Sequence, residues 1–219
     1  MEALYEKFKS LLETENKREA VRFSISLIEN KDIGIVEYYE QILAKAMKDI
    51  KCHNDEKNLC IWREHVRSGI ARTIIESLYS YVLEERRANY TEEPQKKVAV
   101  LCPDGEYHDM GARIAADYFT LLNWDAVFVG NSTPDYEFIK IADHLSLDAV
   151  AISVTNPYNL FSARKTVDLI RKELSGKIKI FAGGNAFAKD IKNERQMDVD
   201  GYVFNFEDLK KLLNGGEAK

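Results

Sequence analysis

One histidine and one carboxylate stand close together in the second half of the chain and could ligate a metal. Glu106 precedes His108 by two residues. A histidine that binds a metal through one ring nitrogen has its other nitrogen held by an acceptor, which fixes the tautomer and raises the basicity of the ligand. Glu106 can be that acceptor. Because one histidine is too few ligands for a zinc or iron ion held by protein alone, the pair suits a metal already chelated by a macrocycle.

Two further segments could take part in the same site. Ser153 and Thr155 follow one apolar run of residues, and Gly183-Gly184 follow another. The hydroxyl of Ser153 could extend the hydrogen-bond chain from Glu106 by one step, or it could bond only to its own backbone. The two glycines offer bare backbone that a large ligand can approach closely, and a plain tight turn after a strand would favour them as well.

The pattern of the second half places all three segments at one edge of a sheet. Short apolar runs alternate with amphipathic ones, and we predict strands near 97–102, 126–130, 148–154, 177–182 and 201–204, with helices near 109–122, 134–145, 161–175 and 206–213 and a short helix after Gly184. Five such units predict a flavodoxin-like α/β domain over residues 97–215 with a five-stranded parallel sheet. In sheets of this kind the ligand lies beyond the carboxyl ends of the strands.

The first half has a helical period instead. Apolar residues recur at spacings of three and four in four segments near 2–14, 16–29, 33–50 and 57–87. Each helix has one apolar face that must pack on a neighbour, so we predict a helical bundle over residues 1–88, followed by a polar linker. Val21, Ile25 and Ile28 form the expected buried face of the second helix, and the stripe on the last helix runs from Trp62 to Val82.

The spacing of these residues resembles a known fingerprint. In the cobalamin-binding domains of methionine synthase, corrinoid methyl-carrier proteins and cobalamin-dependent mutases, D-x-H-x-x-G, S-x-L and G-G follow one another at similar intervals. Here 41 residues separate Gly111 from Ser153, and 27 separate Thr155 from Gly183. Glutamate stands in place of the aspartate at position 106. Thr155 stands in place of the leucine and makes the expected pocket wall more polar.

The resemblance implies that the chain binds cobalamin, as adenosylcobalamin or methylcobalamin. His108 matches the lower axial ligand of cobalt, which displaces the dimethylbenzimidazole tail (the base-off form), and Glu106 matches the carboxylate that holds this histidine. Ser153 matches the hydroxyl of the same chain of bonds, and Gly183 and Gly184 match glycines along the buried nucleotide tail. The other residues of the histidine loop are also expected beside the cofactor: Asp109, Met110 and Gly111.

The helical half is similar to the four-helix cap that precedes this domain in methionine synthase and its relatives. The pair Glu64-His65 also resembles a Glu-His pair in the cap of light-sensing cobalamin repressors. His65 and Trp62 are therefore candidate cofactor contacts, with a solvated His65 and a Trp62 in the bundle core as the alternatives. The tryptophan that stands ten residues before the glutamate in that family is replaced here by Asn54.

Composition limits the partners. The 219-residue chain carries 31 Lys and Arg against 36 Asp and Glu, a net charge of −5, so we expect no direct binding to nucleic acid. No apolar run approaches the roughly 20 residues of a membrane span, and no signal peptide is expected at the amino terminus. Three widely spaced cysteines, Cys52, Cys60 and Cys102, favour a reducing cytoplasm over a disulfide framework.

Two functions fit such a protein. On the Glu64-His65 pair and the polar Ser153–Thr155 wall, we favour a sensor or regulatory protein that reports light, redox state or cofactor level to a partner. The alternative is a corrinoid methyl carrier that serves partner methyltransferases. In either case we expect a cofactor-binding or carrier protein rather than a complete enzyme, and a homo-oligomer is compatible with both. A response-regulator or flavin-binding domain is a third interpretation, although Cys102-Pro-Asp104 lacks the acidic cluster of a receiver domain.

Overall fold

The computed structural model describes residues 1–49, 57–142, 144–174, 178–188 and 197–215. It divides into two compact units, Met1–Glu85 and Arg86–Lys219. No helix within the described ranges is long and apolar enough to cross a membrane. The helical region and the five-stranded α/β fold expected from the sequence are both present, so the predicted fold class is confirmed.

The helical unit follows the predicted segments closely. Its helices are α1 (Glu2–Glu13), α2 (Lys17–Glu29), α3 (Ile35–Glu37), a π-helical stretch (Tyr38–Leu43), α4 (Ala44–Asp49) and α5 (Lys57–Asn89). The third predicted helix is thus one continuous helical run whose middle is π-helical rather than α-helical. Asn16 begins α2, because its side chain accepts a hydrogen bond from the backbone N–H of Glu19 at 3.3 Å.

The buried face of α2 differs from the predicted one. Val21 and Ile25 are only half-buried, whereas Ser24 is fully buried. Ser24 fits in the core because its hydroxyl donates to the carbonyl of Ala20 at 2.8 Å and lies 2.5 Å from the hydroxyl of Tyr38. A polar group whose hydrogen bonds are satisfied is tolerated in a core, so the apolar pattern alone misplaced this face.

The predicted core stripe of α5 is correct over only part of its length. Ile70, Ile74, Leu78 and Val82 are almost completely buried. Trp62 is 57% exposed, so its expected place in the bundle core is wrong. The helical spacing of apolar residues continues along α5 beyond the residues on which other elements pack. Periodicity alone cannot show where that packing ends.

The α/β unit alternates strands and helices as expected. Its elements are β1 (Lys96–Pro103), α6 (Met110–Leu121), β2 (Trp124–Thr133), α7 (Asp135–Ala142), β3 (Ala149–Ser153), a 3-10 turn (Pro157–Asn159), α8 (Leu160–Glu173), β4 (Lys179–Gly183), α9 (Asn185–Ala188), β5 (Gly201–Val203) and α10 (Phe206–Leu213). The strands are parallel in the order β2-β1-β3-β4-β5. β1 and β3 are the buried central strands, which explains their unbroken apolar sequences.

The strand order reverses beside β1. The chain passes from β1 to the edge strand β2 and then crosses to β3 on the other side of β1. The carboxyl ends of β1 and β3 therefore flank the switch point at which open α/β sheets bind ligands. β2 extends to Thr133, beyond its predicted end, through register shifts opposite Leu101 and Pro103.

The cysteines are in different states. Cys102 is a free thiol and is buried at the end of β1. Cys60 on α5 is disulfide-bonded, a bond that the spacing of the three cysteines did not indicate. Cys52 lies outside the described residues.

Candidate functional site

The turn after β1 places a carboxylate inside the domain and an imidazole at its surface. The backbone N–H of Glu106 donates to the carbonyl of Pro103 at 2.9 Å, and Gly105 takes a positive φ of 81° between them. This tight turn directs the Glu106 side chain inward, where it is 0% exposed. The side chain of His108 remains 54% exposed. The sequence therefore folds here into a buried acid beside an accessible base.

The Glu106 carboxylate contacts His108 with one oxygen and a second loop with the other. Oε1 accepts from the backbone N–H of His108 at 3.0 Å and lies 2.6 Å from His108 Nδ1. Oε2 accepts from the backbone N–H groups of Thr155 and Asn156 at 3.0 and 2.9 Å, and from Nδ2 of Asn159 at 3.1 Å. The carboxylate thus joins the loop after β1 to the loop after β3.

These contacts keep Glu106 ionised. Burial by itself would raise the pKa of this carboxyl, but the hydrogen bonds from Asn156, His108 and Asn159 outweigh it and hold the pKa below its ordinary value. An ionised carboxylate only accepts hydrogen bonds, so the proton between Glu106 and His108 is carried by Nδ1. In the neutral imidazole the lone pair then lies on Nε2, and no hydrogen bond joins Nε2 to any residue that the structure describes.

The donor set fits a metal that brings its own in-plane ligands. Within the described ranges no group of three or more His, Cys, Asp or Glu side chains could hold a metal ion. A single imidazole with an unpartnered Nε2 and an anionic partner at Nδ1 could give such a metal one ligand. Cys102, whose Sγ lies 3.7 Å from the carbonyl of His108, is no competing ligand, because burial and then the Glu106 charge raise the pKa of its thiol to about 12.

Ser153 does not extend the hydrogen-bond chain as the sequence suggested. It is buried at the end of β3, but among the described residues its hydroxyl makes no hydrogen bond to Glu106. The expected link is supplied instead by the backbone of Thr155 and Asn156 and by the Asn159 side chain. Gly111 lies beside this serine, and a Cβ at its position would make an ordinary van der Waals contact, 3.4 Å from Ser153 Oγ.

Asp109 and Met110 occupy the junction between the histidine loop and α6. Asp109 is buried, and its carboxylate accepts a hydrogen bond from Arg113 Nε at 3.1 Å. The guanidinium of Arg113 in turn lies over the ring of Phe128, 4.5 Å from its centroid. Met110 is the first residue of α6 and is half-buried. The Asp109 side chain makes no capping hydrogen bond to α6, and the expected cofactor contacts of both residues stay predictions.

Gly183, the last residue of β4, and Gly184, which follows it, are both required by the packing of the protein itself. A Cβ at Gly183 would collide with the carbonyl oxygen of Val203 on β5. Gly184 has a positive φ of 106°, and a Cβ there would collide with the backbone of Val154. The sequence predicted glycine at this edge for a ligand or a turn, and the structure adds a third reason, the close approach of neighbouring backbone.

The two remaining candidates belong to the helical unit. Trp62 and His65 are both exposed on α5. Their contact with a cofactor stays a prediction. The residue that sequence reasoning missed is Asn159. Its signal was the Asn156-Pro157 pair, which marks a turn directly after an apolar strand and therefore polar side chains at the carboxyl edge of the sheet.

Comparison with known families identifies the cofactor. Residues 96–209, more than half of the chain, match the family model of the B12 binding domain. The chain belongs to this B12-binding family. As a B12-binding protein it binds cobalamin, and the resemblance and the cofactor predicted from the sequence are confirmed.

Solved structures share the fold of this B12-binding protein. The monomethylamine corrinoid protein of Methanosarcina barkeri is 12% identical, with a TM-score of 0.79 over 97% of each chain. A cobalamin-binding protein from Desulfitobacterium hafniense DCB-2 is 17% identical, with a TM-score of 0.51 over 89% of this chain and 97% of that one. At these identities the likeness shows the fold alone. Comparison with curated protein sequences finds no significant match.

Proposed function

We propose that this protein is a corrinoid methyl carrier that serves partner methyltransferases. The observation that carries the proposal is the likeness to the monomethylamine corrinoid protein, which extends over 97% of both chains and so includes the helical unit as well as the B12 domain. The sensor function favoured by the sequence rested on Glu64-His65 and on the polar wall near Thr155. Neither gains support from the comparisons, and the carrier is the better-supported function.

In the proposed carrier, His108 binds cobalt through Nε2 as the lower axial ligand, with the cofactor base-off. When bound, cobalamin supplies a cobalt centre that can accept and release a methyl group. Glu106 fixes the tautomer of His108 and the orientation of its ring by accepting from both Nδ1 and the backbone N–H of that residue. Ser153, Thr155, Gly183 and Gly184 are proposed to line the site beside the cofactor.

The partner methyltransferase supplies the substrate chemistry in this proposal. A cytoplasmic location, a homo-oligomer and a cap role for the helical unit stay predictions.

The axial ligand is tested by spectroscopy of the protein loaded with cobalamin. The protein is labelled with ¹⁵N-histidine, so that in the Co(II) form a protein imidazole on cobalt splits each electron paramagnetic resonance line in two, whereas the ¹⁴N of the cofactor's own benzimidazole splits it in three. We expect the twofold splitting in the original protein and in the control His144→Ala, whose histidine is exposed on the same unit. We expect it to be absent in His108→Ala. Persistence of the splitting in His108→Ala would refute the assignment.

The carrier function is tested on the same samples. The loaded protein should reach Co(I) with a strong reductant and then take up a methyl group from an added methyl donor, with no change in its gel-filtration volume on illumination. Failure to reach Co(I), together with a shift in elution volume after illumination of the adenosylcobalamin form, would favour the sensor and overturn the carrier.

A further inference from the structure

The support of the proposed axial ligand extends one step further than the carboxylate. Glu106 is fully buried, and a buried charge is stable only where hydrogen bonds replace its hydration. It accepts five hydrogen bonds, two from His108 and three from the segment that follows β3. The position of the carboxylate, and with it the orientation of the imidazole, is therefore set largely by the loop after β3.

Asn159 is the one side chain, apart from His108, that donates to Glu106 in the part of the chain that the structure describes. The other donors on that side are the backbone N–H groups of Thr155 and Asn156. Asn159 Nδ2 also lies 3.3 Å from the carbonyl oxygen of Gly105. Both of its contacts are acceptors, so the amide can only present its NH₂ group to them, and its orientation is determined by the network.

The turn after β3 positions the Asn159 side chain beside Glu106. Asn156 Oδ1 accepts from the backbone N–H of Tyr158 at 3.1 Å, and the Asn156 carbonyl accepts from the backbone N–H of Asn159 at 2.9 Å. These bonds close the 3-10 turn Pro157–Asn159 directly after β3. The turn carries Asn159 back to the Gly105-Glu106 segment, 53 residues earlier in the sequence.

We propose that Asn159 is a positioning residue for the metal ligand, which acts through Glu106 and occupies the place in the hydrogen-bond chain that the sequence assigned to the hydroxyl of Ser153. This inference rests on the proposed axial role of His108. The longer glutamate side chain at position 106 reaches the donors beyond β3, and Ser153 makes no hydrogen bond to it among the described residues. With glutamate in place of aspartate at position 106, the group that holds the carboxylate changes from the hydroxyl of Ser153 to the amide of Asn159.

Two substitutions separate the amide donor from the space that it fills. Asn159→Ala removes the donor, and we expect the affinity for cobalamin to fall by about 10-fold, the lower end of the range for residues that support a metal ligand. Asn159→Asp keeps the shape but turns an oxygen toward the Glu106 carboxylate, so the expected loss is larger than for alanine. Asn16→Ala is the matched control, since it deletes a hydrogen-bonding asparagine from the helical unit, and it should leave the affinity unchanged.

The decisive readout is the dependence on His108. If Asn159 acts through Glu106 on the imidazole, Asn159→Ala should weaken the nitrogen splitting of the Co(II) spectrum, and it should have no further effect on affinity in a His108→Ala background. An equal loss in both backgrounds would mean a general structural role and would overturn the proposal. So would normal affinity and splitting in Asn159→Ala, or a loss in Ser153→Ala that exceeds the loss in Asn159→Ala.

Failure of this inference can be told from failure of the proposed function. If the original protein shows no twofold nitrogen splitting, the axial role of His108 is wrong and the inference falls with it. If the original protein shows the splitting and Asn159→Ala retains it in full, the axial role stands and only the role of Asn159 is refuted. Thermal unfolding of each variant without cofactor checks that all of them fold.

Discussion

The helical unit and the α/β unit bury polar groups in different ways. In the helical unit, Tyr38 is fully buried, and its hydroxyl meets a single side-chain partner, Ser24. Burial raises the pKa of this phenol, so it stays neutral. In the α/β unit, the buried Glu106 is charged and accepts five hydrogen bonds. A neutral hydroxyl thus needs one partner, whereas a buried anion needs a network drawn from two loops.

Gly34 and Gly69 of the helical unit differ from Gly183 and Gly184 of the α/β unit in the space around them. A Cβ added at Gly34 or Gly69 in the helical unit would meet no atom within 4 Å, whereas one added at Gly183 or Gly184 would collide with backbone. The backbone at the end of β4 is therefore tightly constrained, whereas the backbone at Gly34 and Gly69 has space around it. Glycine-to-alanine substitutions at these two places should therefore change the free energy of unfolding in opposite directions.

The largest effect is expected at Gly184. Gly184→Ala places a Cβ at a φ of 106° and against the backbone of Val154, and it should lower the free energy of unfolding by about 3 kcal/mol, the upper end for a strained backbone. Gly69→Ala, in the middle of α5 with open space around it, should raise that free energy by about 1 kcal/mol because alanine favours helix. Urea unfolding of both variants without cofactor measures the pair. Equal and small effects would contradict the contrast between the units.

A smaller effect, measured here on binding, is expected at Glu106. Glu106→Gln removes the negative charge and turns an NH₂ group toward donors on one side, so either His108 or the loop after β3 loses an acceptor. We expect the affinity for cobalamin to fall about 10–100-fold, measured by calorimetric titration. Glu137→Gln, at an exposed position on α7, is the matched charge control. An affinity that is the same in both variants would show that the network does not support the ligand.

The smallest effect is expected at Tyr38. Tyr38→Phe deletes the hydroxyl bonded to Ser24 and should lower the free energy of unfolding by about 1 kcal/mol, the usual net value of one hydrogen bond. The affinity for cobalamin should not change, because this pair belongs to the helical core alone. A change in cobalamin affinity would show that the buried polar groups of the two units are energetically coupled.

Local sequence patterns predicted the order of elements and most of their ends. The alternation of apolar and amphipathic segments predicted all five strands, and α10 begins at its predicted residue because Asn205 caps it by accepting from the backbone N–H of Asp208. The pairing of Glu106 with His108 was also predictable, since the two residues are neighbours in one loop. These features depend on residues that are close in sequence.

The features that were missed depend on distant residues. Ser24 is buried because its hydroxyl contacts the hydroxyl of Tyr38. Oε2 of Glu106 accepts hydrogen bonds from residues 49 to 53 positions later in the chain. No pattern within one segment reveals such partners. The same limit applies to Trp62, whose exposure depends on how far other elements cover α5.

Cys102 has a consequence for the chemistry of a methyl carrier. It is the one thiol between residues 61 and 219, and it lies at the end of the strand that leads to His108. Burial raises the pKa of its thiol to about 12, so the thiol stays protonated at pH 7, and the sulfur is fully buried. A protein that handles electrophilic methyl groups must avoid alkylating itself. Here the thiol whose Sγ lies 3.7 Å from the carbonyl oxygen of the proposed cobalt ligand is kept protonated and out of reach.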